Sequence, residues 1–268
     1  MQPNGRPPIH CLAYGEMGTR KSSFAATWPK PVWIALFDPP DKAMPYLREG
    51  TVQHEQTDWH KQQNIEMCRV IDPKSGDLLY QVEYFGDSNP EPEDPRNYDW
   101  GYRRFRRRVG SLDMEARRGD WATVVLDSLT FCQYSYLRYS EKALNPTYKD
   151  GRLHYGDMKR EVVNQLLCRF VWLPCNVVVI AHVSTKKDTD TIEWGGFEVR
   201  GANAVGTLVG ELPAGYGEVY RFKAIGASPT VKYELQTRTD NQWYAGSQIR
   251  CPNPCEPVYE SLWQSTNQ

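Results

Sequence analysis

The sequence predicts an α/β fold, a mostly parallel sheet with helices on both faces. Three observations carry this. Short apolar runs at Ile9–Tyr14, Val32–Phe37, Ala122–Leu126 and Val177–Ala181 have strand length. "ATVVL" and "VVVIA" are continuous rather than alternating, as parallel strands covered on both faces are. Helical stretches separate the runs, and strand–helix–strand order gives a doubly wound sheet.

Taken in order, "KSSFAATW" reads as a short helix that Pro29 and Pro31 stop. "IEMCRVIDPKSGDLLYQVEYF" reads as a β-hairpin around the Pro73–Asp77 turn. The proline-rich acidic stretch "GDSNPEPEDPRNYD" follows as an exposed loop, so an insertion occupies about 65–99. "DMKREVVNQLLCRFVWL" places Met158, Val162, Val163, Leu166, Leu167 and Phe170 at helical spacing, and Pro174 ends it. Residues 184–216 are polar and glycine-rich, without periodicity, and read as a loop. "EVYRFKA" and "VKYELQTR" alternate as half-exposed edge strands do. The organisation expected is one domain over 1–250 and a loosely packed C-terminal tail over 251–268.

Composition narrows the function. The 268 residues are 40% apolar, with nine Trp and sixteen Tyr, enough for a substantial core. With 32 basic and 33 acidic residues the net charge is −1, so the surface is no general polyanion binder and nucleic-acid contact needs a local patch. No run approaches the ~18 apolar residues of a membrane helix. "MQPNGRPPIH" has no apolar core of a secretory signal. Seven scattered cysteines fit reduced thiols in a cytoplasm. Cys251 and Cys255 in "CPNPC" lack the second ligand pair of a structural zinc site.

The segment Gly15, Glu16, Met17, Gly18, Thr19, Arg20, Lys21, Ser22, Ser23 nearly spells the phosphate-binding pattern G-x-x-x-x-G-K-[ST]. In such a loop backbone N–H groups wrap the phosphates of ATP at a helix N-terminus. The Lys reaches the β/γ-phosphates and the hydroxyl ligates Mg²⁺. Arg20 stands where the second glycine is usual. Its place at the helix start predicts negative φ, with the guanidinium pointing to solvent or neutralising phosphate charge. Asp127 ends the strand in "DWATVVLDSLT", where P-loop proteins place the carboxylate that holds Mg²⁺. His182 ends "NVVVIAHV", a strand expected beside the P-loop strand and facing the γ-phosphate. Arg103–Arg108 carries five Arg around a helix. It reads as a solvated face paired with the acidic loop, a phosphate contact, or an arginine finger.

"PVWIALFD", "TVVLDSLT" and "NVVVIAH", in that order after the P-loop, resemble the RecA-like recombinase core. They most resemble phage-encoded, single-domain ATP-binding proteins related to RecA and linked to single-strand annealing. With "YELQTRTDN" and "SQIR" the resemblance spans Ile9 to Arg250. It implies a RecA-like ATPase acting on single-stranded DNA in recombination, annealing or repair. A homo-oligomer, ring or filament, is implied too, as is a phage single-strand-binding or replication protein as partner. Lys21, Asp38, Asp127 and His182 would be its catalytic residues, with Mg²⁺ on Ser22 and Asp127. His182 would couple the γ-phosphate to a second DNA-binding loop holding Lys186, Lys187 and Arg200. A first such loop would be "NPTYKDGRLHYGD", with Lys149, Arg152, Tyr148 and Tyr155. RecA relatives have a Glu after the second strand to activate water; "FDPPDK" leaves Asp38 or Asp41. Two alternatives follow: a nucleotide-binding regulatory module with little turnover, and a P-loop small-molecule kinase with the arginine run as its lid.

Overall fold

The computed structural model describes residues 6–54, 56–89, 91–161, 168–185, 191–194, 197–200, 215–240, 243–249 and 251–264. Strand β1 (His10–Gly15) leads through the glycine-rich loop into α1 (Lys21–Ala26), and β2 (Val32–Leu36) follows. After a 3₁₀ turn at Pro40–Ala43 come α2 (Met44–Leu47), β3 (Thr51–Gln53) and α3 (Asp58–Gln62). The predicted hairpin is β4 (Glu66–Ile71) and β5 (Leu78–Tyr84). Then come α4 (Gly101–Arg118), β6 (Thr123–Asp127), α5 (Leu129–Tyr139), α6 (Gly151–Met158) and α7 (Cys168–Phe170). The chain continues as β7 (Asn176–Thr185), β8 (Thr191–Trp194), β9 (Phe197–Arg200), β10 (Glu218–Ile225), β11 (Lys232–Gln236) and β12 (Gly246–Ser247).

The strands form one sheet in the order β11-β10-β1-β7-β6-β2-β5-β4-β3. From β10 to β5 every neighbouring pair is parallel, so the C-terminal ends of β1, β7, β6 and β2 share one edge. Side-chain alternation splits each strand between two cores. Leu12, Trp33, Val124 and Val179 face α4 and α5. Cys11, Ile34, Val125 and Val178 face α1 and α2. This doubly covered sheet is the predicted fold class. Among the described residues no helix is long and apolar enough to cross a membrane. None of the cysteines described forms a disulfide.

Several expectations are corrected. β10 is an interior strand between β1 and β11, with Glu218, Val219, Tyr220 and Phe222 buried. Its polar Arg221 and Lys223 suggested an edge, but they are drawn to Asp240 at the sheet margin. The C-terminal segment is no loose tail: Tyr259 and Leu262 are buried, and the Tyr259 ring lies 5.0 Å from that of Trp28. The polar stretch after β7 is not loop throughout, because β7 continues into an antiparallel hairpin with β8 and β9. The helical stretch after Met158 falls partly at 162–167, outside the described residues.

The arginine run has a structural answer. Burial on α4 recurs at Gly101, Tyr102, Arg104, Phe105, Arg108, Val109, Leu112 and Ala116, so the helical phase turns two arginines inward. Arg108 donates to Glu83, which is fully buried, and reaches Glu115 bidentately at 2.7 Å. Trp33, His60 and Gln81 complete the shell around Glu83. Arg104 holds the carbonyls of Asp99 and Gly86, and Arg107 pairs with Asp99 at 2.8 Å. Arg106 pairs with Glu161, and Arg103 stacks over Tyr139. The reading as a solvated face is thus corrected for Arg104 and Arg108, which are buried, one on backbone carbonyls and the other on the buried Glu83, while Arg106 and Arg107 keep to the surface. The pairing of Arg107 with the acidic loop is as expected.

Candidate nucleotide site

The glycine-rich loop leaves β1 at Gly15, where a Cβ would stand 2.6 Å from the Phe222 carbonyl oxygen on β10. Only glycine fits that approach. Gly18 has φ +79, a conformation glycine adopts without strain. Thr19 is buried and donates to the Glu16 carbonyl at 2.8 Å, closing the loop. Glu16, Met17 and Ser23 are exposed.

Arg20 is the N-cap of α1 and sits at φ 66, ψ 26. The expected negative φ is therefore corrected: Arg20 adopts the left-handed conformation that suits the usual glycine. Its guanidinium does not turn into the loop. It lies 4.2 Å over the ring of Tyr233 on β11, a cation–π contact that offsets part of the backbone strain.

Lys21 is buried, and its ammonium donates to the carbonyls of Gly15 at 2.9 Å and Glu16 at 2.7 Å. Burial pushes its pKa down to about 8, against the pull of Asp127, Asp38 and Glu16. Asp127 ends β6, buried, and accepts from the Tyr46 hydroxyl at 2.7 Å through Oδ2. Burial and then the Asp38 charge raise it to about 6, while Ser22 and Tyr46 lower it. Its Oδ1 is buried without a partner. An orphaned carboxylate oxygen near a serine hydroxyl and a P-loop lysine fits a divalent cation carried in with phosphate.

Asp38 follows β2 and is buried. Its Oδ1 accepts from Ser128 at 2.8 Å, and its Oδ2 lies 3.3 Å from His182 Nε2. Asp41 is exposed on the next turn beside Lys42. His182 pairs in register with Gly15, as β7 lies against β1. Thr130 on α5 accepts the His182 N–H at 2.9 Å, and the imidazole Nδ1 is buried without a partner. Parallel strands thus bring Lys21, Ser22, Asp38, Asp127 and His182 to one edge of the sheet.

The DNA-binding candidates are not brought together in this way. Lys149 precedes α6 and Arg152 lies on it, so the loop expected at Asn145–Asp157 is helical from Gly151 on. Asp150 caps that helix and ties Arg152 at 2.7 Å. Tyr148 and Tyr155 are exposed. Lys186 and Lys187 lie outside the described residues, and Arg200 is on β9 rather than in a loop. Sequence reasoning missed Tyr46, Ser128 and Thr130. Ser128 and Thr130 follow Asp127 within "DSLT" and were within its reach. Tyr46 carried no signal, because its contact with Asp127 spans the fold.

A glycine-rich loop between a strand and a helix, with a buried carboxylate ending a strand two places away in the sheet, defines a P-loop NTPase. The chain belongs to the AAA domain family, whose profile matches residues 8–249. No curated protein sequence matches it significantly. Among solved structures it is similar to a KaiC-like protein from the hyperthermophilic archaeon Pyrococcus horikoshii OT3. The TM-score is 0.44 and the identity 11%, over 91% of this chain and 86% of that one.

Proposed function

We propose that the protein binds and hydrolyses ATP with Mg²⁺ and acts on single-stranded DNA in recombination, annealing or repair. The observation that carries the ATPase reading is the convergence of Lys21, Asp127 and the Asp38–His182 pair at one sheet edge. Backbone N–H groups of Gly15–Ser23 would cradle the phosphates, and the Lys21 ammonium would exchange its loop carbonyls for phosphate oxygens. Ser22 and Asp127 would hold Mg²⁺, which neutralises phosphate charge when bound. Asp38 would take the proton of the attacking water, and His182, bridging Asp38 and the end of β7, would respond to the γ-phosphate. Homo-oligomerisation, a phage origin with work in the host cytoplasm, and a phage single-strand-binding or replication partner belong to this proposal. They are supported by the motif resemblance. The β8–β9 hairpin with Arg200, and the region of Lys149 and Arg152, are its DNA-contact candidates.

Binding without appreciable turnover is the second reading, and Asp38 favours it. Each of its oxygens already has a neighbour, Ser128 at 2.8 Å and His182 at 3.3 Å, so an attacking water must fit beside them to reach a remaining lone pair. The kinase reading is weaker, since Arg104 and Arg108 are buried and Arg106 and Arg107 are paired with Glu161 and Asp99. Phosphate release with and without single-stranded DNA separates the first two readings. Lys21→Ala should abolish tight ATP binding by calorimetry. Equal affinity in wild type and variant would overturn the nucleotide site.

A further inference from the structure

A cavity of about 440 Å³ opens at the same sheet edge, beyond Asp38, between the ends of β2 and β5 and helix α5. It lies outside the C-terminal ends of parallel strands, where open α/β sheets take ligands, and it has the size of a small-ligand site. Phe131 and Tyr134 supply an aromatic wall, with Tyr134 43% exposed. Arg104 lines the cavity; it is 92% buried by its 8% exposure, and its Nε has no hydrogen-bond partner. Arg138, exposed at the end of α5, has no hydrogen bond or ion pair among the described residues.

The carboxylates lining the cavity are mostly turned to internal donors. Asp87 accepts from Gly101 N at 2.6 Å and Ser135 Oγ at 2.7 Å, and Asp38 from Ser128. Glu66, on β4, is exposed at the opposite side from α5. The unengaged guanidinium of Arg138, with the positive charge of Arg104 held behind the cavity wall by the carbonyls of Asp99 and Gly86, stands beside aromatic faces and matches a phosphate joined to a flat ring.

We infer that this cavity binds one nucleoside monophosphate unit, its phosphate toward Arg104 and Arg138 and its base against Phe131 and Tyr134. The unit is either a free nucleotide or one residue of a single strand. The inference rests on the proposed function only in expecting single-stranded DNA as one source. Phe131 also packs edge-on against His182 at 6.1 Å, so the occupant shares a wall with the nucleotide site.

The test titrates dTMP and, separately, a twelve-residue oligo(dT) into the full chain by calorimetry, with and without a non-hydrolysable ATP analogue and Mg²⁺. Arg138→Ala and Tyr134→Ala should each weaken binding by about tenfold. Glu66→Gln should tighten it by removing a like charge. Weakening of both ligands assigns the cavity to a strand residue; weakening of dTMP alone assigns it to a free nucleotide. Absence of binding by both ligands at millimolar concentration, or wild-type affinity in both Ala variants, overturns the inference. Failure of the ATP analogue to bind would strike the proposed function instead, since dTMP is also titrated without it.

Discussion

Lys21 and Asp127 are both held away from their ordinary ionisation, in opposite directions. For Asp127 the folded pKa of about 6 exceeds the ordinary 3.8, so folding favours the protonated form. Its contribution to stability falls as pH rises from about 4 to 6 and stays unfavourable above. For Lys21 the folded value of about 8 lies below 10.5, so stability recovers as pH climbs through that interval. Neutral pH is where both charges weigh against the ligand-free fold. Asp127→Asn should therefore stabilise the protein in chelator by about 1–3 kcal/mol, read by urea unfolding, while impairing Mg²⁺-dependent hydrolysis. A less stable variant would show that the carboxylate is structural. Arg20→Gly belongs here too. It relieves a left-handed non-glycine residue and gives up one cation–π contact, for a net gain of roughly 1 kcal/mol. ATP affinity should hold or rise; a loss would mean that the guanidinium leaves Tyr233 for the phosphates. The motif revealed the mismatch at Arg20 but not its conformation, because φ at a cap is set by how the loop closes on Thr19 and Gly18.

At the scale of elements, α4 shows where sequence patterns mislead. Five arginines within six residues of one helix look like a solvated or nucleic-acid face. Yet Arg108 belongs to a buried network whose acid, Glu83, sits on β5 and whose second acid, Glu115, lies two turns along. No local pattern announces such pairing, since its members meet only through the tertiary fold. Arg108→Ala leaves Glu83 buried without its cation and should cost about 3–5 kcal/mol. Arg103→Ala, at the helix surface, should cost under about 1 kcal/mol. Thermal unfolding of the two variants tests the contrast, and similar melting temperatures would remove the network from the core. The hairpin of β4 and β5 was legible because its turn chemistry is local. That it extends the main sheet through β5 and β2 was not, because which strand β5 lies against is decided only by the tertiary fold. Asp127 and His182 were legible because apolar strands ending in polar residues are local signals.

At the scale of the molecule, the order of strands turns scattered motifs into one site, and the same order decides what lies beyond it. β7 runs for ten residues, about 33 Å at the usual rise, between the P-loop strand and the Asp127 strand. His182 marks the place where it leaves the sheet. The next residue, Val183, already pairs with Trp194, so the strand enters its hairpin with no intervening coil. Nucleotide should slow amide exchange at Val183–Thr185 together with that at His182, read by hydrogen–deuterium exchange. Protection confined to the P-loop would show that the two regions are independent. A flexible connection would absorb a small displacement at the imidazole within a residue or two. A continuous strand has no slack to do so, and any tilt at its base becomes a sweep at its tip that grows with length. The hairpin is thus the far arm of a stiff lever whose fulcrum is the edge where ATP would sit.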